Sequence, residues 1–239
     1  MNLAADFRAA LDPAALFREA FGNEPHEWQR DYLRETRNAV TLKGRQVGAS
    51  QGAAGLAIRS CRYFPNTNAV IVSPTLKQST EITTKARVGL YALGIRLIQD
   101  SASVIRLANG SRIVSLPGTP RSVRGWTARL LILDEAAYIE PETFTAARAL
   151  VATGGRLVVQ STPADESGDF YELVTNPPPG WATFNVPSAS VASISAEFLA
   201  TERRSMAPDE YAREYECRFG KAGASIFTLQ RLNDLVLPE

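Results

Sequence analysis

Two adjacent carboxylates follow a strongly apolar segment in the middle of the chain. Asp134 and Glu135 come directly after Leu130-Leu131-Ile132-Leu133. Such a strand is typical of the middle of a parallel sheet covered on both faces, so the acids should emerge at its carboxyl end, where these sheets bind ligands. The first carboxylate can hold a hydrated Mg²⁺, and the second can orient or deprotonate an attacking water, as phosphoryl transfer requires. The alternative is a strand followed by a solvated acidic turn.

A second candidate segment lies earlier in the chain, where Ala39 to Leu42 reads as another short buried strand. It leads into a loop and then into a helix of small residues, and the residues at that junction are Lys43, Gly44, Arg45, Gln46, Val47, Gly48, Ala49, Ser50 and Gln51. A strand, a glycine-containing loop and a helix direct backbone N–H groups and a helix N-terminus at phosphates. We therefore expect these residues to bind a nucleotide, with Ser50 as a metal-binding hydroxyl. The alternative is a plain strand-to-helix turn.

The loop departs from the usual P-loop pattern. The pattern G-x-x-x-x-G-K-[ST] requires Gly at position 43 and Lys at position 49, whereas this chain has Lys43 and Ala49. From the first loop position, the long side chain of Lys43 can fold back to the β- and γ-phosphates as a point charge. Arg45 offers a second cation near phosphate, and we predict that it acts in catalysis. The nucleotide-binding hypothesis therefore depends on this loop and the Asp134-Glu135 strand taken together.

Composition limits the classes of protein to consider. A chain of 239 residues with 45% hydrophobic content can bury one substantial core and carry a small accessory subdomain. Because the chain has 26 basic and 25 acidic residues, its net charge is close to zero, and any nucleic-acid contact must be a local patch. Two cysteines and a single histidine argue against a disulfide framework, a His-based triad or a zinc site. No uncharged apolar run approaches about eighteen residues, so we expect a soluble, intracellular protein.

Strands and helices are predicted to alternate through the middle of the chain. The predicted elements are strand Ala39 to Leu42, a helix from about Ala49 to Phe64, strand Ala69 to Ser73, a helix from about Lys77 to Leu93, a hairpin of Ser103 to Leu107 and Ser111 to Leu116, the acidic strand 130 to 135, a helix starting near Pro141 and strand Arg156 to Gln160. This alternation predicts a parallel sheet covered by helices. Asn109-Gly110 in the hairpin predicts an antiparallel edge.

Further helices are predicted on both sides of this core. Residues 3 to 21 carry helical periodicity, with Asp12 as cap of a second helix and Pro13 in its first turn. Trp28 to Arg37 reads as another helix. Beyond a proline-rich break, Ser195 to Arg204 and Asp209 to Phe219 also read as helices.

Several of these segments, in their order, resemble the ATPase domain of a large terminase subunit, the motor that packages DNA into tailed-phage and related viral capsids. The segments lie between about residues 24 and 220 and are Trp28-Gln29, Gly44 to Gly48, Leu130 to Glu135, Ser161-Thr162-Pro163 and Glu214-Tyr215-Glu216-Cys217-Arg218-Phe219. Loops of this family include variants with the lysine displaced toward the start, which Lys43 matches.

The resemblance implies an α/β fold of the P-loop NTPase (ASCE, RecA-like) type. This fold has a mostly parallel sheet with helices on both faces and a small helical C-terminal lid or linker subdomain. The implied division is an N-terminal helical segment over residues 1–38, the ATPase core over 39–165 and the lid or linker over 166–239.

The resemblance also implies roles for individual residues. Gln29 matches a glutamine that recognises adenine, a task suited to an amide that both donates and accepts hydrogen bonds, although a surface glutamine is the alternative. Asp134, with Ser50, would hold Mg²⁺, and Glu135 would activate water. Ser161-Thr162-Pro163 matches a coupling motif that senses the γ-phosphate; alternatively, its hydroxyls cap a turn.

Arg124 precedes Gly125 in a loop before the acidic strand. An arginine-glycine pair there is a candidate finger, supplied by a neighbouring subunit to stabilise charge on the transferring phosphoryl group. Arg121 and Arg129 are competing candidates, and a DNA-facing or solvated arginine is a further alternative.

The function implied is Mg²⁺-dependent hydrolysis of ATP that drives double-stranded DNA into a procapsid. The implied partners are double-stranded DNA, held through sequence-independent backbone contacts, the portal protein and the small terminase subunit. We expect a homo-oligomeric ring when assembled, a chain that can be a monomer alone, no membrane association, and a location in the cytoplasm of the infected host cell. Large subunits usually continue into an RNase H-like nuclease domain; only twenty residues follow Phe219, so we expect no DNA cleavage by this chain.

Two alternative functions remain at this stage. A helicase-like DNA translocase shares the glutamine, the loop and the Asp-Glu strand, but generally needs two such cores in one chain. A degenerate nucleotide-binding assembly module would explain the missing lysine at position 49, but the acid Glu135 argues against it.

Overall fold

The computed structural model describes residues 3–220, which begin with three helices. These are α1 (Leu3–Leu11), α2 (Pro13–Phe21) and α3 (Glu27–Arg34). Asp12 caps α2 by accepting a hydrogen bond from the N–H of Ala14 at 3.1 Å, which confirms the predicted cap. Helix α3 ends before the predicted Arg37, because Glu35 is extended and its carboxylate accepts the next two backbone N–H groups.

Strands and helices then alternate as the sequence predicts. The elements are β1 (Ala39–Lys43), α4 (Ala49–Tyr63), β2 (Asn68–Ser73), α5 (Leu76–Ala92), β3 (Leu97–Asp100), β4 (Val104–Leu107), β5 (Arg112–Pro117), α6 (Pro120–Val123), β6 (Ala128–Asp134), α7 (Pro141–Arg148), β7 (Val151–Ser161), α8 (Gly168–Thr175), β8 (Ala182–Val186), α9 (Ala196–Ser205) and α10 (Pro208–Glu216), with 3-10 turns at Ala136–Tyr138 and Ser188–Ser190. Four of these elements were not predicted: β3, α6, α8 and β8.

The strands form one eight-stranded sheet in the order β3-β4-β5-β2-β6-β7-β1-β8. Pairs from β5 through β8 are parallel, whereas β3-β4 and β4-β5 are antiparallel, which confirms the predicted antiparallel edge. Strand β7 lies between β6 and β1. The carboxyl ends of these three strands therefore meet at one edge of the sheet, where α/β folds bind ligands.

Helices cover both faces of the sheet. On one face, α3, α4 and α5 pack on Ile71, Ile132 and Val158. On the other face, α7 and α8 pack on Leu133 and Val159, which follow Ile132 and Val158 in the sequence. Because both faces are buried, the central strands read as continuous apolar runs. The predicted mostly parallel α/β sheet with helices on both faces is confirmed.

The chain beyond β7 returns to the sheet. Strand β8 pairs in parallel with β1, so the segment after residue 165 contributes one strand to the core sheet. Helix α10 ends at Cys217, whose φ of +58° is left-handed, and the predicted continuation to Phe219 is therefore too long. The division of the chain at residues 38 and 165 stays a prediction. Within residues 3–220, no helix has the length and hydropathy needed to span a bilayer.

Candidate functional site

An open cavity of about 1290 Å³ lies at the carboxyl ends of β1, β6 and β7. Its lining includes every residue from Lys43 to Gln51, together with Glu135, Thr162 and Glu214. The structure thus brings together the predicted phosphate loop, the predicted catalytic acid and part of the predicted coupling motif.

The loop turns through two left-handed residues before α4 begins. Gln46 has a φ of +62° and Gly48 a φ of +85°, and no side chain caps the first turn of α4. The N–H of Gln51 donates to the carbonyl of Gly48 at 3.1 Å. The preceding N–H groups of that turn, together with the helix dipole, are therefore available to an anion such as phosphate. Val47 and Ala49 anchor the loop in a small apolar cluster with Val186.

Two side chains of helix α3 donate hydrogen bonds to backbone carbonyls of the loop. The indole Nε1 of Trp28 donates to the carbonyl of Val47 at 3.0 Å, and Nε2 of Gln29 donates to the carbonyl of Gly48 at 2.9 Å. The Oε1 of Gln29 accepts the N–H of His26 at 2.8 Å. Gln29 is buried with both ends of its amide bonded to protein. Recognition of adenine by Gln29 stays a prediction, and it would require these bonds to be exchanged.

Lys43 is the last residue of β1 and interacts electrostatically with both acids. Its Nζ donates to Oε1 of Glu135 at 2.7 Å, and the residue is only 7% exposed. Burial by itself lowers the pKa of Lys43, but the charges of Glu135 and Asp134 outweigh burial and raise the pKa above its ordinary value. Lys43 is therefore a buried cation at neutral pH, paired here with Glu135. Its contact with phosphates stays a prediction.

Glu135 has an unusual backbone conformation. Its φ of +51° is left-handed, which costs a non-glycine residue about 1–2 kcal/mol. The side chain is held by Lys43 on one oxygen, and on the other by the Ser161 hydroxyl at 3.3 Å and the Thr162 N–H at 3.4 Å. Such strain, imposed by the surroundings, is typical of functional sites.

The coupling motif therefore contacts the predicted catalytic acid directly. Ser161 and Thr162 are buried at the carboxyl end of β7, and Pro163 is buried immediately after them. Because both bonds from this motif go to one oxygen of Glu135, a movement of the motif would also move the acid. Its contact with a γ-phosphate stays a prediction.

Asp134 is buried at the end of β6. Burial raises its pKa to about 6; the charge of Lys43 opposes this shift and that of Glu135 adds to it. Its Oδ1 accepts a hydrogen bond from Nε2 of Gln160 at 2.7 Å.

The two predicted metal ligands are of the chemical type that suits a magnesium ion bound together with a nucleotide; Ser50 lines the cavity, and Asp134 is buried next to Glu135 in sequence. The Ser50 hydroxyl and the Asp134 carboxylate are hard oxygen donors of the kind that Mg²⁺ prefers. In the part of the chain that the structure describes, no three or more His, Cys, Asp or Glu side chains form a group able to hold a metal ion. An ion here would therefore take its remaining ligands from phosphate oxygens and water, as Mg²⁺ commonly does.

Arg45 lies at the rim of the cavity, and its guanidinium forms an ion pair with Glu214 of α10. Its backbone is also fixed: the N–H donates to the carbonyl of Glu214 at 2.7 Å, and the carbonyl accepts the hydroxyl of Ser188 at 2.7 Å. To reach a phosphate, the side chain must leave Glu214. The predicted catalytic role of Arg45 stays a prediction.

The contacts of Glu214 and Ser188 with the loop were not predicted from the sequence. Glu214 belongs to a segment that carries the family resemblance, but the residue pattern of that segment does not indicate that α10 lies against the loop. Ser188 lies in a short 3-10 turn that was not predicted.

Arg124 lies away from this cavity. It follows α6, its side chain is 71% exposed, and its guanidinium is 3.9 Å from the carboxylate of Glu142. It lines a second cavity of about 790 Å³, together with Trp126 and Leu150. The structure does not bring Arg124 to the phosphate loop of its own chain. Its role as a finger stays a prediction, and it would have to act on a neighbouring subunit.

Comparison with known proteins identifies a family that matches most of the chain. The family model described as "Terminase large subunit, T4likevirus-type, N-terminal" matches residues 40–234. The large terminase subunit of Thermus phage G20c is 25% identical over 259 residues, which cover 91% of this chain and 53% of that protein. The chain thus spans about half the length of this curated relative.

Solved structures show the same fold. The large terminase ATPase domain of Thermus phage P74-26 is 24% identical, with a TM-score of 0.72 over 87% of this chain and 99% of that one. The large terminase of the thermophilic bacteriophage D6E in complex with ADP is 14% identical, with a TM-score of 0.67 over 87% of this chain and 53% of that one.

Proposed function

The chain belongs to the T4likevirus-type large terminase subunit family, whose N-terminal region it matches, and we propose that it is an ATPase motor domain that drives double-stranded DNA into a procapsid. The observation that carries this proposal is the cavity in which the phosphate loop meets Glu135, held by Lys43. The D6E large terminase, which has the same fold, was solved with ADP, and this supports a nucleotide as the ligand.

The first step of the proposed mechanism is binding of the triphosphate. The N–H groups at the start of α4 and the cations Lys43 and Arg45 would neutralise its charge. Ser50 and Asp134 are the residues that would hold Mg²⁺, and the ion would supply further charge neutralisation of the triphosphate. Because Lys43 is buried, its charge is little screened by solvent.

Activation of water falls to Glu135. A carboxylate within hydrogen-bond reach of a water can orient it for attack on the γ-phosphate and accept its proton. In the structure, one oxygen of Glu135 is occupied by Lys43 and the other by Ser161 and Thr162. We expect the γ-phosphate to draw Lys43 toward itself, which would free Oε1 of Glu135 for the water.

The assembled motor would act on double-stranded DNA through phosphate contacts without sequence preference. Arg124 is exposed and does not line the cavity of its own chain that contains the phosphate loop. In a homo-oligomeric ring it would reach that cavity in the next subunit. The portal protein and the small terminase subunit are the further partners, and the cytoplasm of the infected host cell is the expected location.

A subunit-mixing experiment tests this proposal. Phosphate release from Mg-ATP is measured for the unmodified chain over a wide range of protein concentrations, and then for Glu135→Gln and Arg124→Ala, alone and mixed. Each variant alone should lose activity by about 10²-fold or more. A mixture should recover part of it, because a chain with an intact Glu135 can then receive Arg124 from its neighbour. Arg121→Ala, which removes an exposed arginine that competes with Arg124 as the finger, is the comparison and should stay within about twofold of the unmodified rate if Arg124 has that role.

The possible results separate the parts of the proposal. An unmodified chain that neither binds nor hydrolyses ATP at any concentration would overturn the ATPase. Hydrolysis that is independent of protein concentration and unaffected by Arg124→Ala would support the ATPase activity, but would overturn the proposal that a neighbouring subunit supplies Arg124 to the site.

A further inference from the structure

A buried chain of hydrogen bonds runs from α3 to Asp134. The hydroxyl of Tyr32 donates to Oε1 of Gln160 at 2.9 Å, and Nε2 of Gln160 donates to Oδ1 of Asp134 at 2.7 Å. Tyr32 and Gln160 are both fully buried. Strand register places Gln160 directly beside Asp134, on β7 and β6 respectively. None of these contacts is used in the steps described above.

The chemistry of the three groups fixes the direction of both hydrogen bonds. A carboxylate only accepts hydrogen bonds, so the amide of Gln160 must present its NH₂ group to Asp134. The amide oxygen is then left for Tyr32, whose hydroxyl must donate. An amide turned the other way would place two acceptors face to face in a buried site, which costs about 1–3 kcal/mol or more. The carboxylate of Asp134 therefore fixes which way the Gln160 amide is turned, and the hydrogen bond from Tyr32 holds the amide, and through it the carboxylate, in place.

The ring of Tyr32 is itself firmly held. Its centroid lies 5.5 Å from that of Trp28 and 5.8 Å from that of Phe184, the latter in an edge contact. On a third side lies Gly52 of α4, where an added Cβ would come within 3.2 Å of the ring. The absence of a side chain at position 52 therefore lets α4 approach the ring and restrict its position.

Helix α3 thus contacts both halves of the site. Trp28 and Gln29 hold the carbonyls of the phosphate loop, and Tyr32, on the same helix, holds Asp134 through Gln160. We propose that Tyr32 and Gln160 are positioning residues that fix the Asp134 carboxylate relative to the phosphate loop, so that it is ready to hold the metal ion of a metal-nucleotide complex. This inference rests on the proposed function and extends it. Partners that orient a metal ligand typically change metal affinity by about 10–100-fold when they are removed.

The test measures metal binding without turnover. Mn²⁺ serves as a paramagnetic substitute for Mg²⁺, and its binding to the intact chain in the presence of a non-hydrolysable ATP analogue is followed by electron paramagnetic resonance. Gln160→Leu should weaken Mn²⁺ binding by about 10–100-fold. Tyr32→Phe removes only the hydroxyl and keeps the ring, and should weaken binding by a smaller factor of about 3–10. The double variant should be no weaker than Gln160→Leu, because Tyr32 acts through Gln160.

Two controls separate positioning from general damage. Nucleotide binding in EDTA should stay within about twofold of the unmodified chain in both variants, since the loop contacts of Trp28 and Gln29 are intact. Tyr91→Phe removes a hydroxyl that bonds Asp100 at 2.6 Å, away from α3, and should leave Mn²⁺ binding unchanged. Thermal melting verifies that each variant is folded. If Gln160→Leu does not fold, the milder variant Tyr32→Phe still tests the positioning role.

The outcomes distinguish this inference from the proposed function. If the unmodified chain binds the metal-nucleotide complex, Asp134→Asn weakens binding, and folded Tyr32→Phe and Gln160→Leu match the unmodified chain, the positioning role is overturned and the proposed function stands. If the effects of Tyr32→Phe and Gln160→Leu on Mn²⁺ affinity add in full in the double variant, the proposal that Tyr32 acts through Gln160 would also be overturned. No metal-nucleotide binding by the unmodified chain would overturn both proposals.

Discussion

At the scale of single residues, the site contains a carboxylate that is unfavourable for folding. Burial raises the pKa of Asp134 to about 6, from an ordinary value of 3.8. Folding therefore favours proton uptake by this group between these two pH values. The free energy of unfolding should fall as pH rises through this window, and the cost is present in full above it. A bound cation would offset this cost, which is consistent with a metal-binding role.

We predict that Asp134→Asn stabilises the fold at pH 7 in the presence of EDTA, by on the order of 1–3 kcal/mol. Asparagine keeps an oxygen that can accept the hydrogen bond from Gln160, but it carries no charge to bury. The gain should nearly vanish at about pH 4, where the buried acid is protonated. Urea unfolding of both proteins at the two pH values measures this difference. Asp31→Asn, at an exposed position on α3, is the control and should show no such gain. A loss of stability at pH 7, or an equal gain at both pH values, would contradict the prediction.

The sequence predicted Asp134, Glu135 and the loop because residue type and position are informative at strand ends. Acids that follow a buried strand, and glycines between a strand and a helix, have few structural reasons to occur there. Gln160 carried a similar signal, since it is a polar residue at the end of an apolar strand, but its partner Tyr32 is far away in sequence. Pairing across such a distance depends on packing, which the pattern of one strand does not contain. For the same reason, the ion pair between Lys43 and Glu135 was not predicted.

At the scale of elements, three segments close over the start of the phosphate loop. The N–H of Gly44 donates to the carbonyl of Val186 at the end of β8, Ser188 binds the carbonyl of Arg45, and α10 binds its N–H. A Cβ on Gly44 would lie 2.8 Å from the backbone nitrogen of Ser188 and 3.0 Å from the carbonyl oxygen of Tyr215. The loop and the C-terminal elements therefore approach too closely for any side chain at position 44.

We predict that Gly44→Ala costs about 1–3 kcal/mol of stability, because backbone atoms must move to admit the methyl group. It should also weaken nucleotide binding, since the loop is displaced. Gly94→Ala is an instructive comparison: position 94 has open space but a φ of +66°, so its cost of about 1–2 kcal/mol comes from the backbone alone. Thermal unfolding and binding of a fluorescent nucleotide measure both effects. Unchanged stability and affinity in Gly44→Ala, or an equal loss of affinity in Gly94→Ala, would show that this close contact does not shape the loop.

Most helices were predictable from their hydrophobic periodicity, and the central strands from their continuous apolar runs. The misses have identifiable causes. Strand β8 is short and lies at the edge of the sheet, so its residues alternate between buried and exposed and give only a brief pattern. Strand β7 is longer than predicted because it extends through Gly154-Gly155, which reads as a break. Helix ends are the least predictable, since they depend on local backbone choices such as the left-handed Cys217.

At the scale of the whole molecule, the fold class was predictable, whereas the assembly was not. Alternating strands and helices with motifs in a fixed order restrict the topology strongly. Assembly depends on surfaces, and the balanced charge of 26 basic and 25 acidic residues gives no global indication of a partner. The structure adds that Arg124 and the phosphate loop line different cavities. This separation is the reason that the proposed site needs a second subunit.

The central claim is that Glu135 activates the water that hydrolyses ATP in this cavity. The most direct test is single-turnover hydrolysis of Mg-ATP with protein in large excess, with nucleotide binding measured on the same samples. Glu135→Gln should bind ATP about as well as the unmodified chain and hydrolyse it about 10²–10⁴-fold more slowly. Glu140→Gln, which changes an exposed acid before α7, should hydrolyse ATP at the unmodified rate. A Glu135→Gln protein that binds ATP and hydrolyses it at the unmodified rate would contradict the account.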